Sequence, residues 1–246
     1  MTVSGFPSAS PDVPAYLAAL PEVTASLLTE ADELNDRTVQ EPSTLPRWSR
    51  GHVLTHLARN AEGSVRLLEW ARTGQRQDEY VNMDIRERDI EAGARRPVRD
   101  LVDDVRYWSE TLSATAEGLD DARWQETIQW AAGEYTRAAV IPVARLGEVL
   151  LHHTDLGIGF EPSRWPSHLL PDLFDRYLSL TKVPAPVPFE LRDTDSGRQW
   201  TVGSGSVNNV VSGPAPWLLG WLTRRSSGQH LSIDPASPLP QLPVLP

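Results

Sequence analysis

The strongest constraint in this 246-residue chain is the spacing of its apolar residues, which keeps a three- and four-residue step through most of the first two thirds. Between Val13 and about Asp36, the residues Leu17, Leu20, Leu27, Leu28, Ala31 and Leu34 fall on one side of a helix, with acidic residues on the other. From Ser49 to Thr73, the set Val53, Leu54, Leu57, Ala61, Val65 and Leu68 does the same, opposite Arg59, Glu62, Arg66 and Glu69, and Gly74 ends the run. Val98 to Leu119 predicts a third helix and Pro142 to Leu156 a fourth, its proline falling in the tolerated first turn. Four amphipathic helices of this length bury their apolar stripes against one another as a bundle. The charged stretch Asp78 to Pro97 reads as a long connection with room for a short helix. Trp124 to Ile141, which lacks helical period, reads as a hairpin or crossover.

Beyond Gly157 the pattern changes. Pro166 to Thr181 predicts a helix, and the run Pro184, Pro186, Pro188 breaks it. Alternating segments at Pro188 to Arg192 and Gln199 to Gly203, separated by Asp193-Thr194-Asp195-Ser196-Gly197, predict a hairpin. A further segment at Ser206 to Val211 precedes a short apolar helix from Ala215 to Thr223, and the proline-rich tail from Pro235 is expected to be extended. The expected fold class is therefore α+β, with a helical domain over residues 1–160 and a small α+β domain over residues 161–246.

Composition narrows the function. The 33 acidic residues exceed the 23 Lys and Arg by 33 − 23 = 10, a net charge of −10 that ill suits nucleic acid. No stretch approaches the ~18–20 apolar residues that span a bilayer, and the first residues lack a signal-peptide pattern, so a cytoplasmic location with no membrane partner is expected. A monomer is expected as well. With no cysteine, thiolate metal sites and a cysteine nucleophile are excluded, and any thiol chemistry needs a thiol from outside.

Four of the six histidines fall on the predicted bundle helices: His52, His56, His152 and His153. Glu148 and His152 are four apart and project from one face, one turn from each other. A histidine from a facing helix would complete a set of two imidazoles and one carboxylate, a donor set that suits zinc and leaves positions open. His56 is the natural candidate, with His52 the alternative one turn earlier; His153 points about 100° away from His152. Ligand type alone leaves nickel, iron or manganese open.

Two strings carry a family resemblance. Arg47-Trp48-Ser49-Arg50-Gly51-His52-Val53-Leu54-Thr55-His56-Leu57-Ala58-Arg59-Asn60-Ala61 is similar to the second-helix motif of the mycothiol-dependent maleylpyruvate isomerase family, within the DinB-like metal-binding superfamily. Gly147-Glu148-Val149-Leu150-Leu151-His152-His153-Thr154-Asp155-Leu156-Gly157 resembles its fourth-helix motif. The linker from Tyr80 to Gly93, which contains Arg86, and the segments Val210 to Gly213 and Trp217 to Arg225 resemble further parts of the family. The resemblance implies a DinB-like bundle whose divalent metal, expected to be zinc, is held by His56, Glu148 and His152. It also implies mycothiol as the thiol cofactor.

The implied reaction is cis-trans isomerisation of maleylpyruvate to fumarylpyruvate through thiolate addition, bond rotation and elimination. Its substrate is a dicarboxylate, which arginine forks suit. Arg225 is the first candidate for catalysis and Arg86 the candidate for cofactor binding. The family's Gly-Arg pair reads Arg224-Arg225 here, so both arginines stay in view. Two rival readings are a mycothiol S-transferase acting on another electrophile and a metal-binding protein without turnover.

Overall fold

The computed structural model describes residues 11–180 and 188–242, and the expectations placed on Thr181, Pro184, Pro186 and the last four residues lie outside them. Two compact units divide the chain, one running through Gly159 and the other from Phe160. The first holds α1 (Val13–Asp32), α2 (Arg50–Thr73), α3 (Met83–Gly93), α4 (Val98–Glu117), the single turn α5 (Asp121–Trp124), the hairpin β1 (Thr127–Gln129) and β2 (Tyr135–Arg137), and α6 (Val140–Asp155). Helices α1, α2, α4 and α6 are the four expected from periodicity.

Each long helix packs on two others: α2 on α4 and α6, and α1 on the same pair. This closes a four-helix ring around one core. Leu27, Leu28 and Ala31 of α1, Val53, Leu54, Leu57 and Ala58 of α2, Leu101, Val102 and Val105 of α4, and Val149 of α6 meet there, essentially removed from solvent. Fully burying a side chain of leucine or valine size contributes roughly 1.5–3 kcal/mol, so this cluster is the main stabilising element of the unit.

The polar side of α2 is covered too, against expectation. Arg59 bonds Asp104 of α4 at 2.9 Å, Asp104 in turn takes Arg96 at 2.7 Å, and Glu62 bridges Arg59 and Arg66. The charged linker folds into an eleven-residue helix, α3, started by the Asn82 side chain accepting from the Ile85 N–H at 2.8 Å. Gly51 lies in the first turn of α2 because a Cβ there would sit 2.2 Å from the carbonyl oxygen of Ala94, just past α3.

The second unit carries α7 (Leu170–Leu180), α8 (Ala215–Leu222) and a four-stranded sheet ordered β4-β3-β5-β6. Strands β3 (Phe189–Asp193) and β4 (Gln199–Val202) form the expected hairpin, with Leu191 opposite Trp200. β5 (Val210–Gly213) lies parallel to β3, and β6 (Ser232–Asp234) completes the edge. β5 starts later than the expected segment, and β6 has no sequence signal because three residues show no period. Asp193 ties the hairpin turn by accepting from the N–H groups of Asp195 and Ser196, and it also accepts from the Ala215 N–H at the start of α8. Among the described residues, no helix is long and apolar enough to cross a membrane. The architecture is α+β, with a helical bundle followed by a small mixed sheet.

Candidate metal centre

Helix α2 begins where Ser49 takes the cap position, its side chain accepting from the His52 N–H while the His52 ring accepts from the Ser49 N–H at 3.1 Å. This reciprocal cap fixes His52 by its Nδ1, leaving Nε2 to donate to Glu91 at 3.0 Å. His52 is therefore committed to the helix end and does not join the centre.

One turn later His56 points inward and is only 5 % exposed. Its Nε2 lies 2.9 Å from Glu148 Oε2 and 3.0 Å from His152 Nε2, and His152 Nε2 lies 3.5 Å from the same carboxylate oxygen. The two imidazole planes cross at 81°, edge to face. Structure thus brings together the three side chains that sequence reasoning selected, one from α2 and two from one face of α6, with all ligand atoms within 4.8 Å of one another.

Three such atoms around one point cannot satisfy each other by hydrogen bonds alone, since each pair needs a proton between its members and the third atom crowds it. A cation at the common point would satisfy all three lone pairs. A tetrahedral ion with bonds of ~2.0–2.2 Å spaces its ligand atoms by roughly 3.3–3.6 Å, so the observed triangle needs only slight expansion. The donor set fits a divalent metal of the zinc type.

Protonation follows from the surroundings. Burial, helped by the neighbouring His152, lowers the His56 pKa to about 4, so this ring is neutral at pH 7. Burial also opposes charge on His152, but its hydrogen bonds to the Asp155 and Glu148 carboxylates, with their charges, outweigh it and raise its pKa. For Glu148, burial pushes upward and the two histidines overcome it, holding the carboxylate well below its ordinary range. Glu148 is thus ionised, as a ligand must be.

Two partners orient the rings. Asp155, 1 % exposed, accepts from His152 Nδ1 at 2.9 Å and from the Thr44 hydroxyl at 3.1 Å. That carboxylate leaves His152 Nε2 with its lone pair facing the centre, the arrangement usual behind metal-bound histidines. Sequence reasoning gave Asp155 no role, although its three-residue spacing from His152 places both on one helical face. Arg86 of α3 donates to His56 Nδ1 at 2.8 Å, and because a guanidinium only donates, the proton of this neutral ring sits on Nε2. Beside it, Trp48 packs 5.5 Å from the His56 ring. Arg86 and Trp48 also line a cavity of about 550 Å³, together with Arg47, His52 and Arg88.

The remaining candidates lie elsewhere. His153 is fully buried and bonds Glu30 of α1 at 2.9 Å, away from the triad as its angle predicted. Arg225, in the second unit, is half-buried just after α8, with its NH1 on the Thr223 carbonyl at 2.6 Å. Arg224 before it takes a φ of 65°, in the left-handed region that favours glycine.

Comparison with known proteins agrees with this fold. No curated protein matches the chain. Solved structures do, among them two of the mycothiol-dependent maleylpyruvate isomerase. One is a histidine-to-alanine variant, with TM-score 0.85, and the other has TM-score 0.83. Each is 21 % identical, covering 95 % of this chain and 97 % of its own, and so shares the fold. Residues 20–157 match the family described as the mycothiol maleylpyruvate isomerase N-terminal domain, and the chain belongs to that family.

Proposed function

We propose that the protein is a mycothiol-dependent cis-trans isomerase that converts maleylpyruvate to fumarylpyruvate, with His56, Glu148 and His152 as ligands to zinc. The observation that carries this reading is the convergence of those three ligand atoms, in a member of this family that has no cysteine of its own. When bound, the metal holds a thiol as thiolate near neutral pH, and the thiol supplies reversible addition across the cis alkene, so that the bond can rotate.

The chain's residues prepare that chemistry. Asp155 keeps the proton of His152 on Nδ1, and Glu148 contributes one negative charge. With a metal held at its Nε2, His56 would carry its ring proton on Nδ1, facing the Arg86 donor. Arg86 also lines a cavity, where its donors suit the hydroxyl-rich sugar and inositol of mycothiol. Arg225 serves the substrate carboxylate. The left-handed backbone at Arg224 supports this register, since that residue then occupies the family's glycine position.

The test is conversion of maleylpyruvate by thiol-free, zinc-loaded protein with and without a trace of mycothiol. Fumarylpyruvate should form only with the thiol, which should be recovered unchanged. Equal conversion without thiol overturns addition and elimination. Stoichiometric consumption of mycothiol identifies a transferase instead.

A further inference from the structure

A second cavity, of about 490 Å³, opens between α1, α4 and α6, and the residue that distinguishes it is Arg145. Arg145 stands one turn before Glu148 in the otherwise apolar run Val140 to Gly147 and is 2 % exposed. No carboxylate of the described residues pairs with it. Its NH1 donates to the Leu57 carbonyl at 2.9 Å and to Asn60 Oδ1 at 2.8 Å, and its NH2 reaches Ser109 Oγ at 3.3 Å. Three of its five N–H donors are thus engaged, all by neutral acceptors. Burial lowers its pKa to about 10, while Glu148 and Tyr80 act on it from a distance in the opposite sense, so the guanidinium stays charged at neutral pH.

A buried, unneutralised cation is costly and is ordinarily paired. Here it lines a cavity of mixed character, in which Leu20, Leu28 and Leu112 provide an apolar part beside Thr24, Ser109 and Ser113, within the size range of small-molecule sites. At the same cavity Asp32, Glu110 and Glu117 outnumber Arg106, which pairs with Asp32 at 3.5 Å. That excess of negative charge opposes polyanions, and because Glu110 and Glu117 are exposed, Arg145 is the one buried charge of the lining.

We propose that this cavity is a second ligand site, for a small monocarboxylate with an apolar body whose carboxylate pairs with Arg145. It is separate from the metal centre and does not depend on the isomerase reading. A guanidinium can take a carboxylate through two parallel bonds, and the leucine walls would cover the apolar remainder.

Calorimetric titration of the full, zinc-loaded chain with benzoate tests it, with benzamide as the neutral isostere and phthalate as the dianion. Benzoate should bind one per chain, at least about tenfold more tightly than either control. Ala25→Trp, which fills the cavity from an exposed lining position of α1, should weaken benzoate at least about tenfold while leaving zinc content and isomerase turnover unchanged. Arg145→Met should abolish the preference for benzoate over benzamide. Ala25→Trp reports independently should the Arg145 variant not fold. The proposal is overturned if benzoate does not bind, if benzamide binds equally, if Ala25→Trp has no effect, or if binding disappears when zinc is removed, which would place the carboxylate at the metal.

Discussion

Individual side chains at the centre divide into those that hold and those that aim. Asp155 aims: without it, the His152 ring loses the carboxylate that holds its Nδ1 and is free to turn or change tautomer. Asp155→Ala should lower zinc affinity by about 10–100-fold, the usual cost of losing such a partner, as read by competition with a chelator. Unchanged affinity would show that α6 alone orients the ring. Arg86 has the opposite sign. Its bond to His56 Nδ1 stabilises the tautomer that cannot ligate through Nε2, so Arg86→Ala should tighten zinc binding by roughly 5–10-fold, one hydrogen bond's worth. The same substitution should raise KM for mycothiol. A loss of zinc affinity instead would make Arg86 a structural support of the centre. Glu148 and His152 were legible as a pair because helical spacing fixes which residues share a face, whereas His56 was singled out over His52 by the family resemblance. The Arg86 contact was not legible, since it depends on how an eleven-residue helix inside a charged linker is laid against α2.

Among the elements, α2 carries the most constraints. It is capped by Ser49 and His52, stopped by Gly74 in the left-handed conformation, and buried on more than the face its apolar period marks. The reason is tertiary: α3, α4 and α6 all pack on it. Gly51 is the point of closest approach, where the backbone just past α3 leaves no room for a methyl group. Gly51→Ala should destabilise the protein by about 1–3 kcal/mol, measured by urea unfolding, because one backbone must move. It should also weaken the Arg86 contact, since the segment displaced directly follows α3. If stability is unchanged, the two elements are not tightly apposed. Element boundaries moved for similar local reasons: α1 ends at Asp32 rather than continuing to Asp36, where Asn35 instead accepts from the N–H groups of Arg37 and Thr38 and makes a turn.

For the molecule as a whole, the centre links stability to pH. His56 has a folded pKa of about 4 against an ordinary 6.5, so between these values the unfolded chain binds the proton and the folded one resists it. Stability from this residue is complete above pH 6.5 and is lost as pH falls toward 4, by at most roughly 1.4 kcal/mol per pH unit. His152, whose pKa is raised, acts above 6.5, where its contribution is lost as pH rises. Glu148 acts below its ordinary 4.5. Metal-free protein should therefore show a urea midpoint that falls from pH 6.5 to 4.5, and His56→Phe should flatten that slope. An equal slope in both proteins would assign the effect elsewhere. The sequence by itself determined the four bundle helices, the α+β division, the exclusion of an internal thiol and the shared face of Glu148 and His152, because periodicity, residue chemistry and i,i+4 spacing are local properties. Tertiary structure alone decided that Arg86 holds His56 in one tautomer and that Arg145 is buried beside a cavity. Each of those depends on which distant segment packs against the residue, and no local spacing encodes that.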